Sequence, residues 1–235
     1  MNVILDNPIW FALNSVNAHL GSGNDNVKLF DAAVAPFAGL SVYAPGNFKQ
    51  LFDLVSPDQV VVLFYPEADL DPAPFNVVVK VPGYQMVFEG KEPEAISGEE
   101  LVRLTEKDLE EMLALTKLAQ PGPFAGRTID FGGYLGIFQD QKLIAMGGQR
   151  LQTQGFTEIS AICTHPDSAG KGFAGKVLNE LVRNIIASGN VPYLHVRADN
   201  ARAIKLYQYL GFVIRTEMYF HVIKKGIAPI NNSYR

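Results

Sequence analysis

The stretch His165–Leu178, HPDSAGKGFAGKVL, sets Gly170, Gly172 and Gly175 beside Lys171 and Lys176, just ahead of an apolar repeat. Small residues at a helix start leave the first backbone N–H groups reachable, and those groups carry partial positive charge. That is chemistry for an anion, a pyrophosphate above all. Three phosphate-binding patterns overlap here. Gly170 to Lys176 reads as a Walker A loop, but the hydroxyl that should follow the lysine to hold Mg²⁺ is replaced by Val177. Gly170, Gly172 and Gly175 read as a dinucleotide fingerprint, whose first glycine belongs at the end of a strand. Here His165–Ala169 intervenes, and too few residues follow Gly211 for the further strand–helix units that fold needs. The third pattern is the window Ala169–Ala174, which turns on Gly172 and Ala174. A turn of small residues with no ligand is the remaining possibility. It would weaken a helix start with no packing gain.

Other reactive side chains are scattered. The four histidines, His19, His165, His195 and His221, show no metal-ligand spacing, and no metal is expected. Cys163 is the only cysteine. It has no evident base beside it and reads as a packed strand residue.

The elements that must position the loop are regular from about residue 99 onward. Leu101–Leu104 reads as a short strand. Thr105 then caps a helix, with Asp108 three residues on as a capping box. Leu109, Met112, Leu113 and Leu118 form that helix's apolar face, and Pro121-Gly122-Pro123 ends it. Gly133–Phe138 and Lys142–Leu151 flank Asp140-Gln141 as an antiparallel hairpin. Thr157–Thr164 is a strand leading into the glycine loop, and Phe173–Ala187 is an amphipathic helix stopped by Gly189. Pro192–Arg197 (strand), Asn200–Leu210 (helix) and Phe212–Ile223 (strand) complete the order β-α-β-β-β-α-β-α-β. Before this, the chain is rich in Pro, Asn and Phe. Strands are expected at Gln59–Tyr65 and at Phe75–Val81, the latter closed by a Pro82-Gly83 turn, with a third at Tyr84–Phe88. Glu89–Glu100, polar and holding Gly and Pro, reads as a linker. Two domains are therefore expected, 1–98 with no assigned role and 99–235.

Composition narrows the class. Of 235 residues, 48% are hydrophobic and 19% charged, enough for a large core and too apolar for disorder. A net charge of -4 argues against a nucleic-acid partner. The start MNVILDNPIWFAL lacks a basic leader segment, and no apolar run is long enough to span a bilayer. A cytoplasmic protein is expected, with no membrane partner, as a monomer or homodimer.

From Val102 to about Ile223 the sequence resembles the GCN5-related N-acetyltransferases (GNAT), and within them the FR47-like group. VRLTEKDLEEMLAL resembles the opening strand and helix of that family. EISAICTHPDSAGKGFAGKVLNELV resembles its central strand, coenzyme A loop and following helix. NARAIKLYQYLGF resembles its closing helix and turn. The family loop, Q/R-x-x-G-x-G/A, falls on Ala169–Ala174. Gly172 and Ala174 fit, whereas Ala169 replaces the usual Arg or Gln. The resemblance implies an α/β (α+β) fold, a mixed central sheet with flanking helices, plus a smaller N-terminal α/β domain. It also implies acetyl-CoA as co-substrate and an amine acceptor, a small molecule or a peptide.

Acyl transfer from a thioester to an amine needs deprotonation of the amine, stabilisation of the oxyanion and help for the departing thiolate. The resemblance implies Glu158 as general base and Tyr207 as proton donor to that thiolate. A strand carboxylate meeting Arg150 across the hairpin, and a packed aromatic beside Ile204, are the alternatives. Tyr209 points elsewhere. Coenzyme A is expected along Ile162, Cys163 and Thr164, on the loop from Ala169 through Gly170, Lys171, Gly172, Phe173 and Ala174 to Gly175, and at Asn200. His195 is a second-base or acceptor-site candidate. Arg127 and Arg150 are candidates for an acceptor carboxylate, and the loop Pro121–Arg127 for the acceptor wall. Two further functions remain open: a non-catalytic coenzyme A-binding sensor or partner module, and an N-acyltransferase taking a longer acyl-CoA, as in glycine N-acyltransferase-like relatives.

Overall fold

The computed structural model describes residues 3–94 and 101–226. Six helices are α1 (Val3–Asp6), α2 (Pro8–Leu13), α3 (Pro45–Leu54), α4 (Leu109–Ala119), α5 (Phe173–Ala187) and α6 (Ala201–Tyr209) among these residues. The strands are β1 (Gly21–Gly23), β2 (Val27–Phe30), β3 (Ala38–Leu40), β4 (Val60–Tyr65), β5 (Phe75–Phe88), β6 (Leu101–Arg103), β7 (Leu135–Gln139), β8 (Lys142–Thr153), β9 (Phe156–Thr164), β10 (Val191–Arg197) and β11 (Phe212–Lys225). From β6 onward the order is β-α-β-β-β-α-β-α-β, as expected. Thr105 and Asp108 form the capping box, over a 3₁₀ turn that leads into α4. No helix among the described residues is long and apolar enough to cross a membrane.

Eight strands form one mixed sheet in the order β4-β11-β5-β10-β9-β8-β7-β6, and β1-β2-β3 form a small second sheet. The α/β class, a mixed sheet with flanking helices, is the one expected. The expected division at residue 98 falls between β5 and β6, which lie in the same sheet, with β5 between β11 and β10. Of the expected linker, residues 95–100 lie outside the described residues. The core is shared in the same way. Leu5, Ile9, Phe37 and Phe64 pack with Leu151, Tyr193 and Met218 on one face of the sheet. On the other face α5 lays Val177, Leu178, Leu181 and Ile185 against Ile144, Ile159, Leu194 and Val196.

Pro82-Gly83 does not end a strand. β5 runs straight through, pairing Pro82 with Tyr219 and Gly83 with both Met218 and Arg197. The glycine answers a packing need. A Cβ at Gly83 would stand 2.6 Å from the Phe220 ring and 2.7 Å from the Val196 carbonyl oxygen. The proline is tolerated because the β10 pairing ends at Gly83, and on that side Pro82 supplies only its carbonyl, which accepts from Ala198 N at 2.9 Å. Helices α1, α2 and α3 were not among the elements expected from the sequence. Two of them, α2 and α3, begin on a proline at the first position, where its missing N–H costs nothing.

Candidate active site

β9 and β10 are parallel and in register from Phe156–Val191 to Ile159–Leu194. Both strands continue, to Thr164 and Arg197, but the pairing does not. β10 follows β5 as far as Arg197–Gly83, while β9 follows β8 as far as Thr164–Ala145. The two strands therefore diverge after Leu194. The edge of β9 from Ser160 to Thr164 faces an opening, where an extended, amide-bearing ligand can add as a strand would.

The β8–β9 ladder slips at the same level. Gly148 pairs with Ser160 and Met146 with Cys163, so Gly147 alone opposes Ala161 and Ile162. This is a bulge, and Ala161 adopts a left-handed φ of 56° to make it. Gly147 is needed opposite, since a Cβ there would stand 2.3 Å from Ile162 Cδ1. A bulge frees backbone groups from the ladder and re-aims them. The Thr164 hydroxyl, at the end of β9, is buried with no hydrogen-bond partner among the described residues.

The glycine loop lies just beyond. Gly170 and Gly172 have φ of 81° and 83°, where a side chain strains the backbone even though nothing crowds either position. Gly172 is the N-cap of α5 and provides no side-chain cap. The first-turn N–H groups of this 15-residue helix are thus left without a side-chain acceptor. Ala169 and Lys171 are exposed, Phe173 is buried, and Ala174 is partly buried. A Cβ on Gly175 would meet only Leu206 and Leu210 of α6, at 3.9 and 4.0 Å. Asn200 caps α6, its Oδ1 accepting from Ala203 N at 3.1 Å. An uncapped helix start, a diverging strand edge and an orphaned hydroxyl between them suit the pyrophosphate and amide-bearing arm of coenzyme A.

Glu158 sits on β9 just before the divergence, on the face away from α5, and is fully buried. Its carboxylate accepts from Arg150 Nε at 2.8 Å and Arg150 Nη2 at 2.5 Å. It also accepts from Leu151 N at 3.3 Å and His195 Nδ1 at 2.7 Å. Burial alone would raise its pKa; the Arg150 charge and hydrogen bonds outweigh this, His195 adds to them, and the carboxyl is held at about 2. As placed, Glu158 has its lone pairs all engaged and is weakly basic, the arrangement of a strand carboxylate meeting Arg150 across the hairpin. Arg150 is equally committed. It lies over the rings of Phe37 and Phe64, 5.0 and 5.5 Å from their centroids. Its fork goes to Glu158, so it is not available to an acceptor carboxylate.

The network continues into residues not singled out from the sequence. Gln85 on β5 donates to the Leu5 carbonyl at 2.7 Å and to His195 Nε2 at 3.0 Å, and accepts from Arg215 Nη1 at 2.7 Å. Arg215 also pairs with Asp6 of α1. The sequence signal for Gln85 and Arg215 was a polar side chain inside an apolar strand, YQMVF and FVIRTEMYF.

Tyr207 lies on the α5 side, partly buried, with its ring 6.1 Å from that of Phe212. Burial raises its pKa to about 12, and the nearby Cys163 adds to the shift. The ring packs against the same core cluster as Ile162, the β9 residue at the bulge. Cys163 is itself buried, and its thiol is pushed up to about 12, which makes it a poor nucleophile. Arg127 bridges Asp31 at 2.7 Å and Asp130 at 2.9 Å, joining the Pro121–Arg127 loop to the β2–β3 connection. Tyr209 is exposed.

Residues 134–221 match the model of the FR47-like protein family. No curated protein matches the chain. Among solved structures, one from Novosphingobium aromaticivorans, assigned to the GNAT family, is 34% identical with a TM-score of 0.88. The match covers 95% of this chain and 99% of that one. A GCN5-related N-acetyltransferase from Kribbella flavida shares the fold at 15% identity and a TM-score of 0.60, covering 96% and 95% of the two chains. A Drosophila protein does so at 16% identity and 0.61, covering 84% and 73%. At 34% identity over nearly the whole of both chains, and with the FR47-like match, the chain belongs to the GNAT family of acetyltransferases, in its FR47-like group.

Proposed function

We propose that this protein is an N-acetyltransferase that moves an acetyl group from acetyl-CoA to a primary amine of a small molecule or peptide by direct transfer. The observation that carries this reading is the divergence of β9 and β10 at Leu194, in line with the uncapped start of α5. One element offers a backbone edge to an extended arm. The other offers unpaired N–H groups to its phosphates.

When bound, acetyl-CoA supplies an activated acyl carbonyl with a thiolate leaving group. The residues around it divide the remaining work. Gly170, Lys171, Gly172, Phe173, Ala174 and Gly175 hold the pyrophosphate, mostly through backbone N–H groups, with Lys171 in the basic role that Ala169 lacks. Ile162, Cys163 and Thr164 align the pantetheine arm, and the Thr164 hydroxyl gains a partner. A backbone N–H of the Ala161–Ile162 bulge faces the position where the oxyanion develops. Tyr207 hydrogen-bonds the departing sulfur. With its phenol at about 12, against about 8.5 for a thiol, it stabilises that charge as a donor without giving up its proton outright. Glu158 fixes a negative charge on the acceptor side of the sheet.

Thiol release from acetyl-CoA against glycine, ethanolamine, spermidine, kanamycin and a short peptide with a free N-terminus tests the proposal. Mass detection of an acetylated amine supports it. The enclosure of Glu158 favours one competing reading, a coenzyme A-binding sensor. Calorimetric binding of acetyl-CoA with no transfer to any of these amines would establish that instead.

A further inference from the structure

His195 has a position that Glu158 lacks. It is the first residue of β10 past the last pair with β9, so it stands at the apex of the divergence. Like Glu158 it is on the face away from α5. Its Nδ1 is 2.7 Å from Glu158 Oε1 and its Nε2 is 3.0 Å from the Gln85 amide nitrogen. These contacts assign the tautomer. Arg215 donates to Gln85 Oε1, and Gln85 Nε2 also donates to the Leu5 carbonyl, so the amide orientation is fixed from two sides. Gln85 therefore donates to His195 Nε2, which must be the unprotonated nitrogen, and Nδ1–H donates to Glu158.

We infer that His195 is the proton acceptor of the transfer reaction, oriented by Glu158, and that the Gln85 amide occupies the place of the acceptor's N–H. The inference rests on the reading of the protein as an acyl-CoA-dependent acyltransferase. It gives the buried carboxylate a role suited to it. A weakly basic, fully bonded carboxylate is a poor base but a good orienting partner: it fixes one imidazole tautomer and stabilises the imidazolium when it forms. In the step, the amine nitrogen bonds to the acyl carbon and the carbon–sulfur bond breaks, the sulfur keeping its electron pair. The proton lost by nitrogen goes to His195 Nε2 and from there to the thiolate or to solvent, which restores the neutral ring. To reach Nε2 the amine displaces Gln85, whose side chain must turn away from Leu5 and Arg215.

The imidazole is neutral before the reaction, as a base must be. Burial lowers its pKa from 6.5, the charges of Arg150 and Arg215 act in the same direction, and Glu158 opposes them. The charged or titratable groups around it are Glu158 from β9, Arg150 from β8, Arg215 from β11 with Asp6 of α1 behind it, and Tyr193 from β10. The Phe64 ring meets the imidazole edge-on, with centroids 4.8 Å apart.

The test is His195→Asn, whose amide keeps a donor near the Nδ1 position for Glu158 and removes Nε2. Acetyl-CoA binding by calorimetry, and kcat and KM for the best amine of the panel above, are measured from pH 5 to 9. The expected result is unchanged acetyl-CoA affinity, kcat reduced about 100-fold or more, and loss of the wild-type decline in rate on the acid side. Retention of kcat within about twofold, or a fall in kcat with the pH profile intact, would overturn the inference and leave the acyltransferase reading standing. If the variant does not fold, His195→Gln is measured in the same way, and retention of its kcat within about twofold overturns the role of His195. A wild-type protein that binds acetyl-CoA but acetylates nothing overturns both.

Discussion

Arg150 and Glu158 face each other across the β8–β9 ladder in a two-pronged ion pair, at 2.8 and 2.5 Å, inside the protein. The pair is desolvated, and Phe37 and Phe64 shield it on the guanidinium side. Removing one partner strands the other charge in the core, at a cost of about 3–5 kcal/mol. Arg150→Met is therefore expected to lower Tm by roughly 6–20 °C for a chain of this size. The double change Arg150→Met with Glu158→Gln is expected to cost much less than the two single changes added together, because no lone charge remains. Thermal unfolding of the three variants checks both statements.

Stability should fall on acidification in two stages. His195 has a folded pKa below its unfolded value of 6.5, so the unfolded chain takes up its proton first, and stability declines as pH drops below about 6.5. Glu158 has its pKa depressed from 4.5 to about 2. Its contribution, on the order of 3 kcal/mol, is present above 4.5 and is lost as pH falls from there toward 2. Urea unfolding at pH 8, 6.5, 5 and 4 reads this out. His195→Asn is expected to flatten the first stage and leave the second.

Gly172 has a φ of 83° at the start of α5. Gly172→Val should cost about 1–2 kcal/mol of stability through backbone strain and weaken coenzyme A binding at least tenfold by obstructing the helix start. Ala169→Arg should act in the opposite sense. It supplies the missing basic side chain beside the pyrophosphate, and affinity for coenzyme A should rise about two- to fivefold in low salt and return toward the wild-type value at high salt. Calorimetry at two ionic strengths distinguishes the two effects.

Tyr207→Phe removes the donor proposed for the departing sulfur. A hydrogen bond to a charged group contributes about 1.5–3 kcal/mol, so kcat should fall roughly 10- to 150-fold with KM for acetyl-CoA little changed. Steady-state thiol release gives both constants. A variant with full kcat would remove Tyr207 from the mechanism.

The second half of the chain was legible because its signals are local. The Thr105–Asp108 capping box, the apolar repeat of α5 and the Asp140-Gln141 hairpin each declare themselves within a few residues, and the strand and helix order followed from them. The first half was legible only in part. Pro82-Gly83 carries a turn signature, yet Gly83 serves close packing against Phe220 and Val196, partners more than a hundred residues away in sequence. No local pattern discloses that. The same holds at the site. The loop glycines could be read in one short window, whereas the Gln85–His195 contact joins residues 110 positions apart. Placement of β5 beside β10 creates that contact, and placement of β5 is a property of the whole sheet.

The most direct measurement is thiol release from acetyl-CoA in the presence of the amine panel, with mass detection of the product and calorimetry of acetyl-CoA binding in parallel. The expected result is saturable binding of acetyl-CoA and amine-dependent thiol release matched by one acetyl group added to the amine. No binding of acetyl-CoA, together with no amine-dependent release, would contradict the function proposed for the β9–β10 opening and the α5 loop.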